Sequence, residues 1–232
     1  MSIQSEHHQD EEKLAAAKAA VALVNDHDVV GLGTGSTATF AIQELAARVK
    51  NGLQIKGVAS SVKTATLAIS LGIEMLELGT VSHIDISIDG ADEFTEDLTL
   101  IKGGGGALFR EKIVASLSKN SIIITDASKK VTKLGAFKVP VEVVPIAYQY
   151  VVTQIEKLNG LTKLRLNGAE TYLTDNHNYI VDVDFGLINE PGKLSVDLNQ
   201  IDGVFAHGLF VNLTAQIIMA KEGSLIKFTK PK

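Results

Sequence analysis

Four short clusters hold residue types that could do chemistry. Each follows a segment that reads as a β-strand, which is where open α/β sheets bind their ligands. The first is VVGLGTGSTA, residues 29–38. A strand, a glycine-rich turn and a helix start, in that order, make a cradle for an anion. The glycines let the backbone approach closely, and the amides at the helix N-terminus face the negative charge. Ser36 and Thr37 add hydroxyl donors. A dinucleotide fingerprint needs a third glycine where Ser36 stands and an acidic residue about 20 positions on. This chain has Ser60 and Ser61 after its next strand, and it lacks the P-loop lysine. The cluster therefore reads as a site for a phosphate monoester rather than a nucleotide. A plain tight strand–helix turn is the structural alternative.

The second cluster is IDISIDGADE, residues 84–93, in which Asp89, Asp92 and Glu93 crowd the end of a strand. Clustered carboxylates can bind sugar hydroxyls, move protons or hold Mg²⁺; helix capping and a solvated loop are the alternative. Asp85 and Ser87 do not make the two-aspartate pattern of a phosphatase nucleophile loop. The third cluster, IKGGGGALFREK at 101–112, has four consecutive glycines, Gly103 to Gly106. Such a run costs folding entropy, so it needs a compensating reason: close approach to a ligand, or a tight turn beneath the helix. Lys102 leads into the loop. Glu111 lies on the following helix among apolar residues, which favours an inward role. The fourth cluster, ITDASKKVTKLG at 124–135, places Asp126 and Lys129 after a buried strand, where a lysine can pair with a phosphate. Lys130 and Lys133 read as solvated surface charges.

Other chemistries find no support. The six histidines show no HxH or HExxH spacing, so a zinc site is not expected. No G-x-S-x-G elbow is present for a serine hydrolase. Cysteine is absent, which excludes disulfides, thiolate metal sites and cysteine nucleophiles.

The elements that must position these clusters alternate helix and strand. Glu11 to Val24 carries apolar residues on one helical face. Val29–Leu32 is a short strand, and Ser36 or Thr37 can start the helix whose core face is Phe40, Ile42, Leu45, Ala46 and Val49. Strand at 55–59, helix at 62–71 closed by Gly72, strands at 73–78, 84–88 and 98–101, helix at 107–117 and strand at 121–125 follow. Short, uniformly apolar strands between helices indicate a mostly parallel sheet covered on both faces. The rhythm changes near Val139. Proline-punctuated VPVEVVP, a helix at 148–158, and then TKLRL, ETYL and NYIVDVDF with a turn at Asp175–Asn178 suggest an antiparallel unit. The expected fold is α/β. A Rossmann-like, mostly parallel sheet with helices on both faces covers 1–136 and 208–232. A smaller α+β, ferredoxin-like domain covers 137–207.

Composition fits this picture. The 232 residues are 45% hydrophobic and 21% charged, with Lys+Arg 22 and Asp+Glu 27 giving a net charge of −5. There is no global attraction to nucleic acid or to anionic membrane. No run approaches the roughly 18 apolar residues of a membrane helix. The polar, acidic start reads as a frayed terminus containing His7 and His8, not a targeting peptide. A cytoplasmic protein is expected.

The four clusters, in this order, resemble the type A ribose-5-phosphate isomerases. GxGTGSTA, DGADE, KGGGGAL-x-REK and DxSK are signatures of that family, standing here at 31–38, 89–93, 102–112 and 126–129, with PVEVxP at 140–145. The resemblance runs along nearly the whole chain and is most specific from Gly31 to Pro145. It implies an aldose–ketose isomerase of the pentose phosphate pathway that interconverts D-ribose 5-phosphate and D-ribulose 5-phosphate. It also implies no metal, no organic cofactor, and a homodimer or dimer of dimers with the smaller domain as a contact surface.

Carried over by motif, Glu111 looks like the general base. Thr34, Gly35, Ser36 and Thr37 look like substrate contacts, with Ser36 and Thr37 near the phosphate. Asp89 and Asp92, with Gly90 and Ala91 between them, look like the ring-opening and hydroxyl-handling segment. Lys102 with Gly103, Gly104 and Gly105, and Lys129, look like substrate-binding groups. The family also has a lysine in its N-terminal helix, and Lys13 falls at a similar distance before the glycine loop. Two other functions fit parts of the pattern: a non-catalytic sugar-phosphate sensor, which need not keep Glu111, and an acyl-CoA transferase with a glutamate nucleophile, which would need a CoA site.

Overall fold

The computed structural model describes residues 3–230. In chain order the elements begin with α1 (Ile3–Val21), β1 (Val29–Leu32), α2 (Ser36–Lys50), β2 (Lys56–Ala59), α3 (Val62–Ser70), β3 (Met75–Leu76) and β4 (Ile84–Asp89). There follow β5 (Glu93–Phe94), β6 (Leu100–Ile101), α4 (Leu108–Leu117), β7 (Ser118–Asp126), β8 (Val139–Val143), α5 (Tyr148–Lys157) and β9 (Leu161–Leu164). The rest are β10 (Leu166–Asn167), β11 (Glu170–Thr171), β12 (Tyr179–Asp184), α6 (Pro191–Asn199), β13 (Val204–His207), β14 (Leu209–Phe210), β15 (Gln216–Lys221) and β16 (Ser224–Thr229).

These elements form two compact units. The first takes residues up to 91, 110–130 and from 213 on; the second takes 92–109 and 131–212. The chain therefore divides at other points than the 136/137 and 207/208 boundaries expected from the change in rhythm. The reason is pairing: β5 and β6 join β14 in a small antiparallel sheet, Phe94 against Leu100 and Ile101 against Leu209, and this draws 92–109 into the second unit.

The first unit is a seven-stranded sheet ordered β16-β15-β7-β4-β1-β2-β3. All neighbours pair in parallel except the β15–β16 hairpin at the edge. Read from β3, the six parallel strands follow the doubly wound order 3-2-1-4-5-6, which reverses direction between β1 and β4. The central strands are short and apolar: Val30, Leu32, Ile86, Ile88, Ile122, Ile124 and Ile218 share one buried cluster with α1 and α2, and Val58 and Ile84 share another with Val114 of α4. Helix α1 packs its alanine face (Ala16, Ala17, Ala20) into this core. The segment around His7 and His8, expected to fray, lies in helix α1 instead, and the His7 ring is 3.3 Å from Glu11 one turn on.

In the second unit β8, α5, β9, β12, α6 and β13 follow one another as βαββαβ. Their antiparallel sheet is ordered β13-β8-β12-β9, the ferredoxin-like arrangement. Val141, Val143, Val181 and Val183 on one face bury against Val151 and Ile155 of α5 and Leu198 of α6. Among the described residues no helix is long and apolar enough to cross a membrane.

Candidate active site

In a doubly wound sheet the ligand crevice lies outside the carboxyl ends of the strands, where the strand order reverses. Here that point is flanked by the ends of β1 and β4, which carry the first two sequence clusters. The strands are tied there by the Gly33 amide donating to the Ile88 carbonyl at 3.0 Å. Asp89, the last residue of β4, is buried, and its Oδ1 accepts the Thr34 amide at 3.1 Å and the Gly90 amide at 2.8 Å. Gly33 is required by this approach, because a Cβ there would stand 2.0 Å from Asp89 Oδ1.

The turn is braced from its other side. Thr34 Oγ1 lies 2.8 Å from Ser60 Oγ, 2.9 Å from Ser61 Oγ and 3.2 Å from Thr64 Oγ1, and Thr64 Oγ1 donates to the Gly33 carbonyl at 2.8 Å. The pair Ser60-Ser61, noted in sequence only as the absence of an acidic residue, thus fixes the loop by a hydroxyl network. Helix α2 begins directly after Gly35, which holds φ +110° and caps the helix with no side-chain hydrogen bond. Ser36 is exposed and Thr37 half-buried, and α2 has no acidic residue in its first turn. This helix start presents amides and two hydroxyls to an incoming anion.

Glu111 lies in the first turn of α4 and is 3% exposed. Its position follows from Gly31. A Cβ on Gly31 would meet Val114 Cγ1 at 2.6 Å and Ser87 Cβ at 2.7 Å, so α4 lies directly on β1 and β4. Val114 and Glu111 are three residues apart and share a helix face. The packing that seats Val114 on Gly31 therefore turns Glu111 to the same side, one turn nearer the helix start. A carboxylate near a helix N-terminus is also electrostatically favoured. The next residue, Lys112, is half-buried, and burial pushes its ammonium down to about 8.

Lys129 closes the short helical turn Ala127–Lys129 after β7, and it is half-buried. Asp126, grouped with it in the sequence, serves the turn: its Oδ1 accepts the Ser128 amide at 2.9 Å and the Ser128 hydroxyl. Glu12 of α1, buried and not anticipated, accepts the Ala127 amide at 3.1 Å and the Glu222 amide at 2.9 Å. It ties α1 to the end of β7 and to the β15–β16 turn. Lys13 points its ammonium at Asp10, 3.0 Å away on the same helix.

The second unit carries the other expected residues. Asp92 Oδ2 accepts the Gly104 amide at 2.8 Å. The Gly106 amide donates to the Gly103 carbonyl at 3.0 Å, so two of the loop's four glycine amides are engaged within the protein. Gly103 holds φ +99°, and a Cβ there would stand 2.9 Å from Leu108 Cβ and 3.3 Å from Pro140 Cγ, so both conformation and space call for glycine. Lys102 is buried, its ammonium 5.5 Å from the centre of the Phe210 ring. Glu93, read with the aspartates as possible chemistry, is structural: its two oxygens accept the Gly135 amide at 2.8 Å and the Phe137 amide at 2.5 Å. Among the described residues no group of three or more His, Cys, Asp or Glu side chains converges on a point that could hold a metal ion.

Comparison with known proteins shows the family and the fold. Residues 56–224 match the family described as ribose 5-phosphate isomerase A (phosphoriboisomerase A). A ribose-5-phosphate isomerase A from Cereibacter sphaeroides is 47% identical over 218 residues, covering 90% of this chain and 83% of the relative. The structure of ribose 5-phosphate isomerase A from Methanocaldococcus jannaschii superposes with a TM-score of 0.91 at 37% identity, covering 95% of this chain and 99% of that one. A D-ribose-5-phosphate isomerase in complex with phospho-erythronic acid superposes with a TM-score of 0.92 at 35% identity, covering 96% and 99%.

Proposed function

The chain belongs to the ribose 5-phosphate isomerase A family and interconverts D-ribose 5-phosphate and D-ribulose 5-phosphate; from that premise we propose which residues do the work. Moving the carbonyl from C1 to C2 requires taking a proton from C2, next to the aldehyde, and delivering one to C1. Glu111 takes the C2 proton, leaving a cis-enediolate, and returns it to C1, while the hydroxyl proton of the C2 oxygen passes to the C1 oxygen and the C2 oxygen becomes the carbonyl. One observation supports this assignment: Glu111 is a buried carboxylate in the first turn of the helix that packs through Val114 on Gly31 of β1. Burial keeps water from solvating the base or capturing the proton.

The turn 34–37 and the start of α2 take the phosphate, with Lys129 as its counter-charge. The phosphate is remote from C1 and C2, so its binding energy positions the reacting carbons. Asp89, held by the Thr34 and Gly90 amides, manages the proton of ring opening, since the pentose phosphate is mostly a closed ring. Asp92 handles a sugar hydroxyl, and Lys102 offsets the enediolate charge; both are assigned from the motif. Removing such an electrostatic donor typically costs about 10²–10³ in turnover. The phospho-erythronic acid bound by a similar isomerase supports this reading, because it combines a phosphate with a carboxylate as the enediolate combines a phosphate with enolate oxygens.

A cytoplasmic location and self-association through the smaller unit complete the proposal. Leu161, Leu166, Leu173 and Leu187 of that unit are all more than half exposed, which suits burial against a second copy.

The test is Glu111→Gln, assayed for ketose formation from D-ribose 5-phosphate, with D-glucose 6-phosphate in parallel as a selectivity control. Turnover should fall by several orders of magnitude while calorimetry still shows binding of the pentose phosphate. Near-normal turnover in this variant would remove Glu111 from the proton transfer.

A further inference from the structure

Arg165 sits between β9 and β10 and belongs to none of the four clusters. Its guanidinium makes five contacts. Nη1 donates to the Gly103 carbonyl at 3.0 Å and to the Gly104 carbonyl at 3.1 Å. Nε donates to Asp182 Oδ2 at 2.9 Å, and Nη2 to Asp182 Oδ1. The guanidinium carbon lies 5.8 Å from the centre of the Tyr172 ring. The side chain is only 15% exposed, and the fork on Asp182 fixes its plane.

The Gly103 carbonyl and the Gly104 amide are the two ends of one peptide group. A trans peptide points its C=O and N–H in opposite directions. Arg165 holds the carbonyl end, and the amide end donates to Asp92 Oδ2 at 2.8 Å. A cation on the C=O strengthens the N–H as a donor, since hydrogen bonds in series polarise one another. The peptide belongs to a run of glycines with no side chains to restrict its rotation. Inside the loop the Gly106 amide also donates to the Gly103 carbonyl at 3.0 Å, and Arg165 is the side chain outside the loop that grips it.

We propose that Arg165 is a positioning residue for the isomerisation: through the Gly103–Gly104 peptide it fixes the orientation of the Asp92 carboxylate that receives the sugar hydroxyl. Asp182 holds Arg165 in plane, and Tyr172 backs it. Lysine would not replace it, because one ammonium cannot serve two carbonyls and both carboxylate oxygens from fixed directions. This inference rests on the role given to Asp92 above.

The experiment is a double-mutant cycle on kcat/KM with Asp92→Asn, Arg165→Met and the combination, each checked for an unchanged far-UV spectrum and a cooperative melt. Displacing a substrate-handling group by about 1 Å can cost on the order of 10²-fold, so Arg165→Met should lose roughly 10- to 100-fold. Added to Asp92→Asn it should lose no more than about twofold further, within the limit of ordinary additivity. Should Arg165→Met not fold, Arg165→Lys and Asp182→Asn carry the same cycle, with smaller losses that also vanish in the Asp92→Asn background. Full losses multiplying in the double variant, or no loss from any change at Arg165 or Asp182, would overturn the proposal. A wild-type rate for Asp92→Asn alone would instead remove the role of Asp92 on which it rests.

Discussion

Gly33 and Asp89 stand so close that a Cβ on the glycine would lie 2.0 Å from the aspartate's Oδ1 and 2.6 Å from its Cα. The second distance decides the outcome of a substitution. Rotating the Asp89 side chain would relieve the first clash, but the Cα belongs to β4 and cannot move without the strand. Gly33→Ala should therefore part the ends of β1 and β4 and break the Thr34–Asp89 hydrogen bond. Overpacking of this kind costs about 1–3 kcal/mol, sometimes more. Urea unfolding should show a lower midpoint, and activity in the folded fraction should drop much further than stability does.

Asp89→Asn separates the two jobs of this side chain. An asparagine can still offer its amide oxygen to the Thr34 and Gly90 amides, so the turn should survive. It cannot exchange a proton with the ring oxygen. General acid–base catalysis contributes roughly 10²–10⁴-fold, and the variant should lose activity within that range at a nearly unchanged melting temperature. A collapse of stability with proportionate loss of activity would assign Asp89 to structure alone.

Much of this arrangement was legible in the sequence, and the reason is local. Short apolar strands next to glycine turns have few ways to be arranged, so the parallel sheet and the strand–turn–helix at 29–38 followed from spacing, and the burial of Glu111 from its apolar neighbours. What escaped depends on partners distant in the chain. Strands β5 and β6 are two residues each and acquire meaning only from β14, more than a hundred positions later. Arg165 reads as one charge in a strand-like TKLRL, and its partners Gly103 and Gly104 lie about sixty residues upstream. Glu93 looked like its neighbours Asp89 and Asp92 because composition does not reveal which backbone amides a carboxylate meets. The Gly135 and Phe137 amides settle that it holds a loop.

The same engagement bears on metal dependence. Asp89, Asp92 and Glu93 each accept backbone N–H groups. Carboxylates already held by amides are poorly placed to converge on one cation, which needs several oxygens turned to a common point. Activity should survive EDTA treatment followed by gel filtration. A loss restored by Mg²⁺ or Mn²⁺ would reassign these carboxylates as ligands.

Lys112 gives a stability test with a defined pH window. Burial lowers its ammonium from the usual 10.5 to about 8. Below pH 8 both folded and unfolded chains carry the proton, and the fold bears the cost of keeping a charge half-buried. Between about 8 and 10.5 the unfolded chain holds a proton that the folded chain has released. Unfolding then takes up protons, so this group's contribution to stability rises with pH across the window. Above 10.5 the lysine is neutral in both states and the cost is gone. Lys112→Met removes the charge while keeping an unbranched apolar stem. Each pKa unit corresponds to about 1.4 kcal/mol, and each kcal/mol shifts the melting temperature of a chain this size by roughly 2–4 °C. At pH 7 the variant should melt several degrees above the parent, and the gap should narrow steadily from pH 8 to pH 10. A gap that stays constant over that range would show that the ammonium is solvated and that any change comes from packing.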